Sequence, residues 1–129
     1  MKIILTSLFV NDQDKALKFY TEVLGFLPKQ NFPAGKYRWI SVVSPVAPDG
    51  VELVLEPNDN PASLAFQTAL FEQGIPFTGF AVEDMKTEYE RLTGLGVKFK
   101  TEPNYSGDIV IAMFDDTCGN YIHLYQFKK

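Results

Sequence analysis

One cysteine, Cys118, and one histidine, His123, are all that 129 residues supply of the side chains that most often build reactive or metal-binding centres. A single cysteine excludes an intramolecular disulfide and any multi-cysteine zinc site. A single histidine excludes most metal-ligand and acid–base constellations, which need more than one. Basic charge is also scarce: 12 Lys and Arg stand against 16 Asp and Glu, a net charge of −4. A general phosphate-backbone binder needs clustered cations to displace counterions, so no nucleic-acid partner is expected. No apolar run approaches the ~18 residues of a transmembrane helix, so no membrane partner is expected either. The start, Met1-Lys2-Ile3-Ile4-Leu5, is too short an apolar stretch for a signal peptide, and a cytoplasmic location is expected. Glycines are scattered singly, and no phosphate-cradling glycine-rich motif occurs.

What is present is core material. Hydrophobic residues make up 46% of the chain and aromatic residues 14%, too apolar for a disordered segment. The length is that of one domain, expected to span 1–129. Ile3 to Val10 reads as a buried strand. Asn11-Asp12 ends it and caps a helix over 13–24, whose Ala16, Phe19, Tyr20, Val23 and Leu24 recur at helical spacing and which Gly25 closes. Asn31-Phe32-Pro33-Ala34-Gly35 reads as a turn cluster. Tyr37 to Val43 and Val51 to Glu56 alternate as strands around a hairpin loop at 45–50. A connector helix is expected at about 60–74, capped by Asn60, with Leu64, Leu70 and Phe71 as its apolar side. Then come a strand at 76–82, a helix at 85–94, and strands at 109–114 and 121–127. A short extra strand is expected after each main helix.

This order is an internal repeat. Val10-Asn11-Asp12 matches Val82-Glu83-Asp84, Leu24-Gly25-Phe26 matches Leu95-Gly96-Val97, and Glu52-Leu53 matches His123-Leu124, each at an offset of 71 or 72 residues. The first half pairs the opening strand and aspartate turn, Phe9-Val10-Asn11-Asp12, with Ala16-Leu17-Lys18-Phe19-Tyr20-Thr21-Glu22-Val23-Leu24-Gly25-Phe26. The second half closes with Phe114-Asp115-Asp116-Thr117-Cys118-Gly119-Asn120-Tyr121-Ile122-His123-Leu124. In these stretches the chain resembles the vicinal oxygen chelate superfamily of glyoxalases, fosfomycin- and bleomycin-resistance proteins and extradiol dioxygenases. The resemblance implies an α+β fold of two tandem βαβββ modules, about 1–56 and 76–129, forming a curved mixed sheet around a central cup. It also implies a homodimer and a small-molecule ligand, in many members with a divalent metal. A superfold hosts many activities, so function must come from the site.

In metal-using relatives four sheet positions face the cup, and here they fall on Leu5, Glu52, Phe77 and His123. The family pattern places His or Gln at the first and third and Glu at the second or fourth. Leu5 and Phe77 offer no lone pair, so no resident metal is expected. Catalytic zinc uses three protein ligands plus water, and a non-haem iron triad uses two histidines and a carboxylate. Three readings stand side by side. Glu52 and His123 are the candidate catalytic pair, as proton movers of an isomerase or epimerase. Together with further ligands they are instead the centre of a divalent-metal lyase, isomerase or dioxygenase. The third reading is a binding cup in which Tyr37, Trp39, Phe77, Tyr121 and Tyr125 present flat surfaces to a planar or amphipathic molecule, as in bleomycin-resistance proteins. Against all three stands a polar pair and aromatic packing with no chemistry. Cys118 and Asp115-Asp116 read as turn-shaping residues, and Asn11-Asp12 and Glu83-Asp84 as caps.

Overall fold

Both main helices begin on an aspartate whose carboxylate takes a backbone amide of the first turn. Asp12 accepts the Lys15 N–H at 3.0 Å and Asp84 the Lys86 N–H at 3.1 Å. Such a cap is worth about 1 kcal/mol, because the amide is otherwise left bare. The computed structural model describes residues 1–128. Helix α1 covers Gln13–Lys18 and continues through a π-helical turn over Phe19–Val23, where the Leu24 N–H reaches back five residues to the Phe19 carbonyl. The widened turn lets two consecutive aromatics, Phe19 and Tyr20, both bury, with Tyr20 stacked on Phe26. In a regular helix adjacent side chains point about 100° apart. Helix α2 covers Pro61–Gln73, with Asn60 accepting the Ala62 N–H, and α3 covers Met85–Gly94.

The strands β1 Leu5–Val10, β2 Leu27–Ala34, β3 Tyr37–Val43 and β4 Glu52–Pro57 form one four-stranded sheet in the order β1-β4-β3-β2. The strands β5 Thr78–Ala81, β6 Phe99–Asn104, β7 Ile109–Asp115 and β8 Tyr121–Phe127 form a second in the order β5-β8-β7-β6. In each, the first and last strands pair in parallel and the others antiparallel. Parallel neighbours need a crossover, which the helix of each module begins. The fold is therefore α+β with two tandem βαβββ modules, and β2 and β6 are the extra strands that follow the main helices. The chain divides into two compact units, Met1–Phe66 and Gln67–Lys129.

Strand alternation gives each sheet one helix-side face. In the first unit Leu8, Val10, Ile40, Val42, Leu53 and Leu55 point that way and are buried with Ala16, Phe19 and Tyr20. In the second, Val110, Ala112, Phe114, Ile122 and Leu124 do so with Met85 and Leu92. Each fully buried large aliphatic side chain contributes about 1.5–3 kcal/mol.

Two expectations are corrected. The turn cluster at 31–35 is mostly strand: β2 runs through Pro33 to Ala34, paired with β3 as far as Tyr37. It is an edge strand, where proline's missing N–H costs no ladder bond. The apolar side expected for the connector helix is its inner side at Leu70 and Phe71, both half-buried with Phe71 stacked on Tyr121, but not at Leu64. Leu64 and Phe66 are exposed, and the buried residue of α2 is Gln67. Its amide donates to the Cys118 carbonyl at 3.3 Å and to Asn120 Oδ1 at 3.0 Å.

That glutamine clamps the turn before β8. Buried Asp116 accepts the backbone N–H groups of Cys118 and Asn120 and the Asn120 amide. Gly119 lies at φ 103°, and a Cβ there would stand 2.8 Å from Gln67 Nε2. Cys118 is buried in this turn, as expected of a packing residue. Gln67→Ala removes the donor of both bonds and the packing of its side chain, so urea denaturation should show a loss of about 2 kcal/mol.

Candidate functional site

Each module presents a second sheet face, opposite its helix. In the first unit this face carries Leu5, Ser7 and Phe9 of β1, Glu52, Val54 and Glu56 of β4, Tyr37, Trp39 and Ser41 of β3, and Gln30 and Phe32 of β2. The registers Leu5↔Glu52, Ser41↔Val54, Gln30↔Ser41 and Phe32↔Trp39 set them side by side. Ser41 is fully buried and sits at the centre of a short relay. The Gln30 N–H donates to Ser41 Oγ at 3.2 Å, and Ser41 Oγ donates to Glu52 Oε1 at 2.6 Å. The relay starts at a register shift between Pro28 and Gln30. A bulge turns a backbone group out of the ladder, and here the released N–H serves the serine. Glu52 Oε2 has no hydrogen bond among the described residues.

Trp39 is half-buried and stacks on exposed Phe32, ring centroids 6.3 Å apart and planes 14° from parallel. Tyr37 lies at the turn end of β3 and donates its hydroxyl to the Asp59 carboxylate, which Lys36 also faces at 3.5 Å. That hydrogen bond holds the Tyr37 hydroxyl above its usual pKa and the Asp59 carboxyl below its own.

In the second unit the corresponding face carries Phe77, Gly79, Tyr121, His123, Tyr125, Ile111 and Met113. Its register differs from that of the first. Leu5 faces Glu52 across β1 and β4, but the direct neighbour of His123 on β5 is Gly79, while the Phe77 N–H bonds the Tyr121 carbonyl. The glycine is needed there: a Cβ would meet Tyr125 Cε2 at 2.3 Å. Tyr125 thus lies across β5 and brings its hydroxyl to within 2.8 Å of His123 Nδ1. A phenol is a stronger acid than a neutral imidazole N–H, and imidazole the stronger base, which favours the tautomer in which Tyr125 donates to Nδ1 and Nε2 carries the proton. Burial pushes the His123 pKa below its ordinary value, because desolvation disfavours the charged ring. Tyr121 is packed locally: Phe71 stacks on it at 4.3 Å and the Lys100 ammonium lies 5.1 Å from its ring centre.

These residues do not suit the metal that some relatives of the fold carry. Leu5 is hydrocarbon, and neither Phe77 nor Gly79 supplies a lone pair beside His123. One oxygen of Glu52 already accepts from Ser41 and Nδ1 of His123 from Tyr125. Among the described residues no three His, Cys, Asp or Glu side chains come together as a metal-binding group. Nor is any helix there long and apolar enough to cross a membrane.

The alternation alone brings out Trp39, Glu52 and His123. It misses Ser41, Gly79 and Phe32. Ser41 has a faint signal, a lone hydroxyl inside an apolar strand at the parity of Glu52. Phe32 is hidden by its proline- and glycine-rich surroundings, and Gly79 by the need to know the register of β5.

Paired βαβββ modules, each with a parallel first and last strand, define the class of fold. The model of the glyoxalase/bleomycin resistance protein/dioxygenase superfamily matches residues 2–124, and the chain belongs to that superfamily. It is 55% identical over 126 residues to the uncharacterized protein YurT of Bacillus subtilis (strain 168), covering 98% of this chain and 99% of YurT. Among solved structures it is similar to UcmS2, with a TM-score of 0.84, 32% identity and 97% of each chain covered. It is also similar to TnmS3, an antibiotic binding protein from Streptomyces sp. CB03234, with a TM-score of 0.76, 27% identity and 99% and 97% covered.

Two outcomes follow for the second face. With one histidine, the imidazole signals in an NMR titration belong to His123 alone, and their midpoint should fall below the ordinary value of about 6.5. In the interval between the folded and unfolded midpoints the unfolded chain binds more protons. Stability should therefore fall as pH drops through about 6.5 and level off below the folded midpoint. Long-range proton–nitrogen spectra should show the Nε2–H form, with Tyr125→Phe relaxing it toward a mixture. Separately, Gly79→Ala should push the Tyr125 ring away and cost about 1–3 kcal/mol in thermal or urea unfolding.

Proposed function

We propose that this protein binds a small planar or amphipathic molecule on the sheet faces opposite α1 and α3, by sequestration and without a resident metal. The observation that carries the reading is the chemistry at the four positions where metal-using relatives place ligands. Two are hydrocarbon, and the two polar ones are already tied to neighbouring hydroxyls. The first module's face also carries Trp39 and, at the turn end of β3, Tyr37, and the second module's face Phe77, Tyr121 and Tyr125. Flat side chains with a few fixed polar atoms suit a ligand of that kind. The similarity to TnmS3, an antibiotic binding protein, supports the same reading.

A cytoplasmic location and a homodimeric assembly belong to this proposal. Leu64 and Phe66, exposed on α2, are apolar surface that a second copy would cover.

The test is a thermal-shift screen. Planar aromatic antibiotics and dyes should raise the melting temperature, since a ligand that binds the folded form stabilises it by about 2.7 kcal/mol at a hundredfold excess over Kd. Ni, Zn, Mn and Fe should neither bind stoichiometrically nor shift the melt. Stoichiometric metal that disappears in His123→Ala would overturn the metal-free reading.

A further inference from the structure

The carboxylate of Glu52 is held in a way that specifies what it can take. Its Oε1 is engaged by a fully buried hydroxyl that a bulge-freed backbone amide in turn supports. The carboxylate therefore cannot rotate freely, and Oε2 is its remaining acceptor. Along the same face, one side-chain step from Ser41 on β3, lies the stacked pair of Phe32 and Trp39. The charged residues at this face's sheet positions are both acidic, Glu52 and Glu56. The nearby cations are engaged elsewhere. Arg38 has the opposite parity on β3 and donates to Asn31 Oδ1 at 2.6 Å, and Lys29 faces Asp49 at 3.9 Å.

We infer that the sheet face of the first module opposite α1 selects a planar aromatic cation, with Glu52 Oε2 accepting from its protonated nitrogen and the Phe32–Trp39 pair providing the stacking surface. This inference rests on the small-molecule reading above. Ser41 is a positioning residue in it: it touches Glu52, not the ligand. An aromatic face attracts a cation through its quadrupole, and a charge-assisted hydrogen bond to a carboxylate is roughly twice as strong as a neutral one. Both contributions favour the cation over a neutral ring of the same shape, and an anionic ring would meet two carboxylates.

Trp39, the single tryptophan, reports on this face directly. The experiment titrates the whole protein, at slightly above neutral pH, with three rings of one shape: 9-aminoacridine (cation), acridine (neutral) and acridine-9-carboxylate (anion). Trp39 quenching and calorimetry give the affinities. The cation should bind about tenfold tighter than the neutral ring, and the anion weakest. Glu52→Gln, which keeps the shape and can still accept from Ser41, should bring cation and neutral ring within about twofold of each other. Ser41→Ala should shrink the ratio of cation to neutral-ring affinity, an effect that mere loss of packing would not produce. As a measurement independent of any variant, added salt should erode the preference in the native protein.

Equal binding of the cation and the neutral ring would overturn this inference and leave the small-molecule reading standing. A preference that survives Glu52→Gln would also overturn it, assigning the effect to the net negative charge of the chain. No binding of any of the three rings up to millimolar concentration would overturn both.

Discussion

Parallel pairing of the first strand of each module with its last is the constraint on which the rest of the structure depends. It cannot be closed by a tight turn. A helix must carry the chain away from β1 or β5, and three antiparallel strands must bring it back. The helix then occupies one face of the sheet, and the large aliphatics of alternate positions follow it there. What remains on the other face is decided by the same alternation, residue by residue. Glu52 lies beside Leu5, and His123 beside Gly79, because β1–β4 and β5–β8 pair in those registers. The two modules share a plan but differ in register, so equivalent sequence positions are not equivalent neighbours.

On the sheet faces opposite α1 and α3 the polar groups are fixed by hydroxyls. In the first module Ser41 reaches across from β3 to Glu52. In the second Tyr125 reaches along β8 to His123. Both hydroxyls depend on a backbone irregularity: a bulge that frees the Gln30 amide, and a glycine that lets the Tyr125 ring lie over β5. A half-buried polar atom costs free energy unless it has a partner, and these contacts supply one. They also orient the groups they hold. Glu52 is left with Oε2 as its acceptor, and His123 with Nε2.

How much of this was legible in the sequence follows from the range of the forces involved. Caps are local, and Asp12, Asp84 and Asn60 were readable from residue type and position. Strands with clean alternation were readable too, and β3, α3 and β8 begin and end where the pattern places them. The repeat showed the two modules because Val-Asn-Asp and Val-Glu-Asp, or Leu-Gly-Phe and Leu-Gly-Val, mark the same structural events. Proline and glycine hid β2, since their usual meaning as turn signals fails on an edge strand. Leu70 and Phe71 mark the inner side of α2, but the polar clamp beside them, Gln67 on the turn at Asp116–Asn120, has no such signature. That contact joins residues about fifty positions apart, and no local pattern encodes it.

The same distinction explains why a familiar fold position does not carry a familiar chemistry. A metal centre needs several lone pairs converging on one point, each supplied by a different strand. Losing two donors to Leu5 and to Phe77 or Gly79 does not leave a weaker version of that centre. It leaves a carboxylate and an imidazole, each with one ring or carboxylate atom not engaged by its neighbouring hydroxyl. Neither atom has its partner within the described residues of its own module. Under the proposed binding role, such atoms discriminate among small molecules by charge and by hydrogen-bond sense. The hydroxyls of Ser41 and Tyr125 matter for that reason, since discrimination requires that each polar atom be held in one orientation before a ligand arrives.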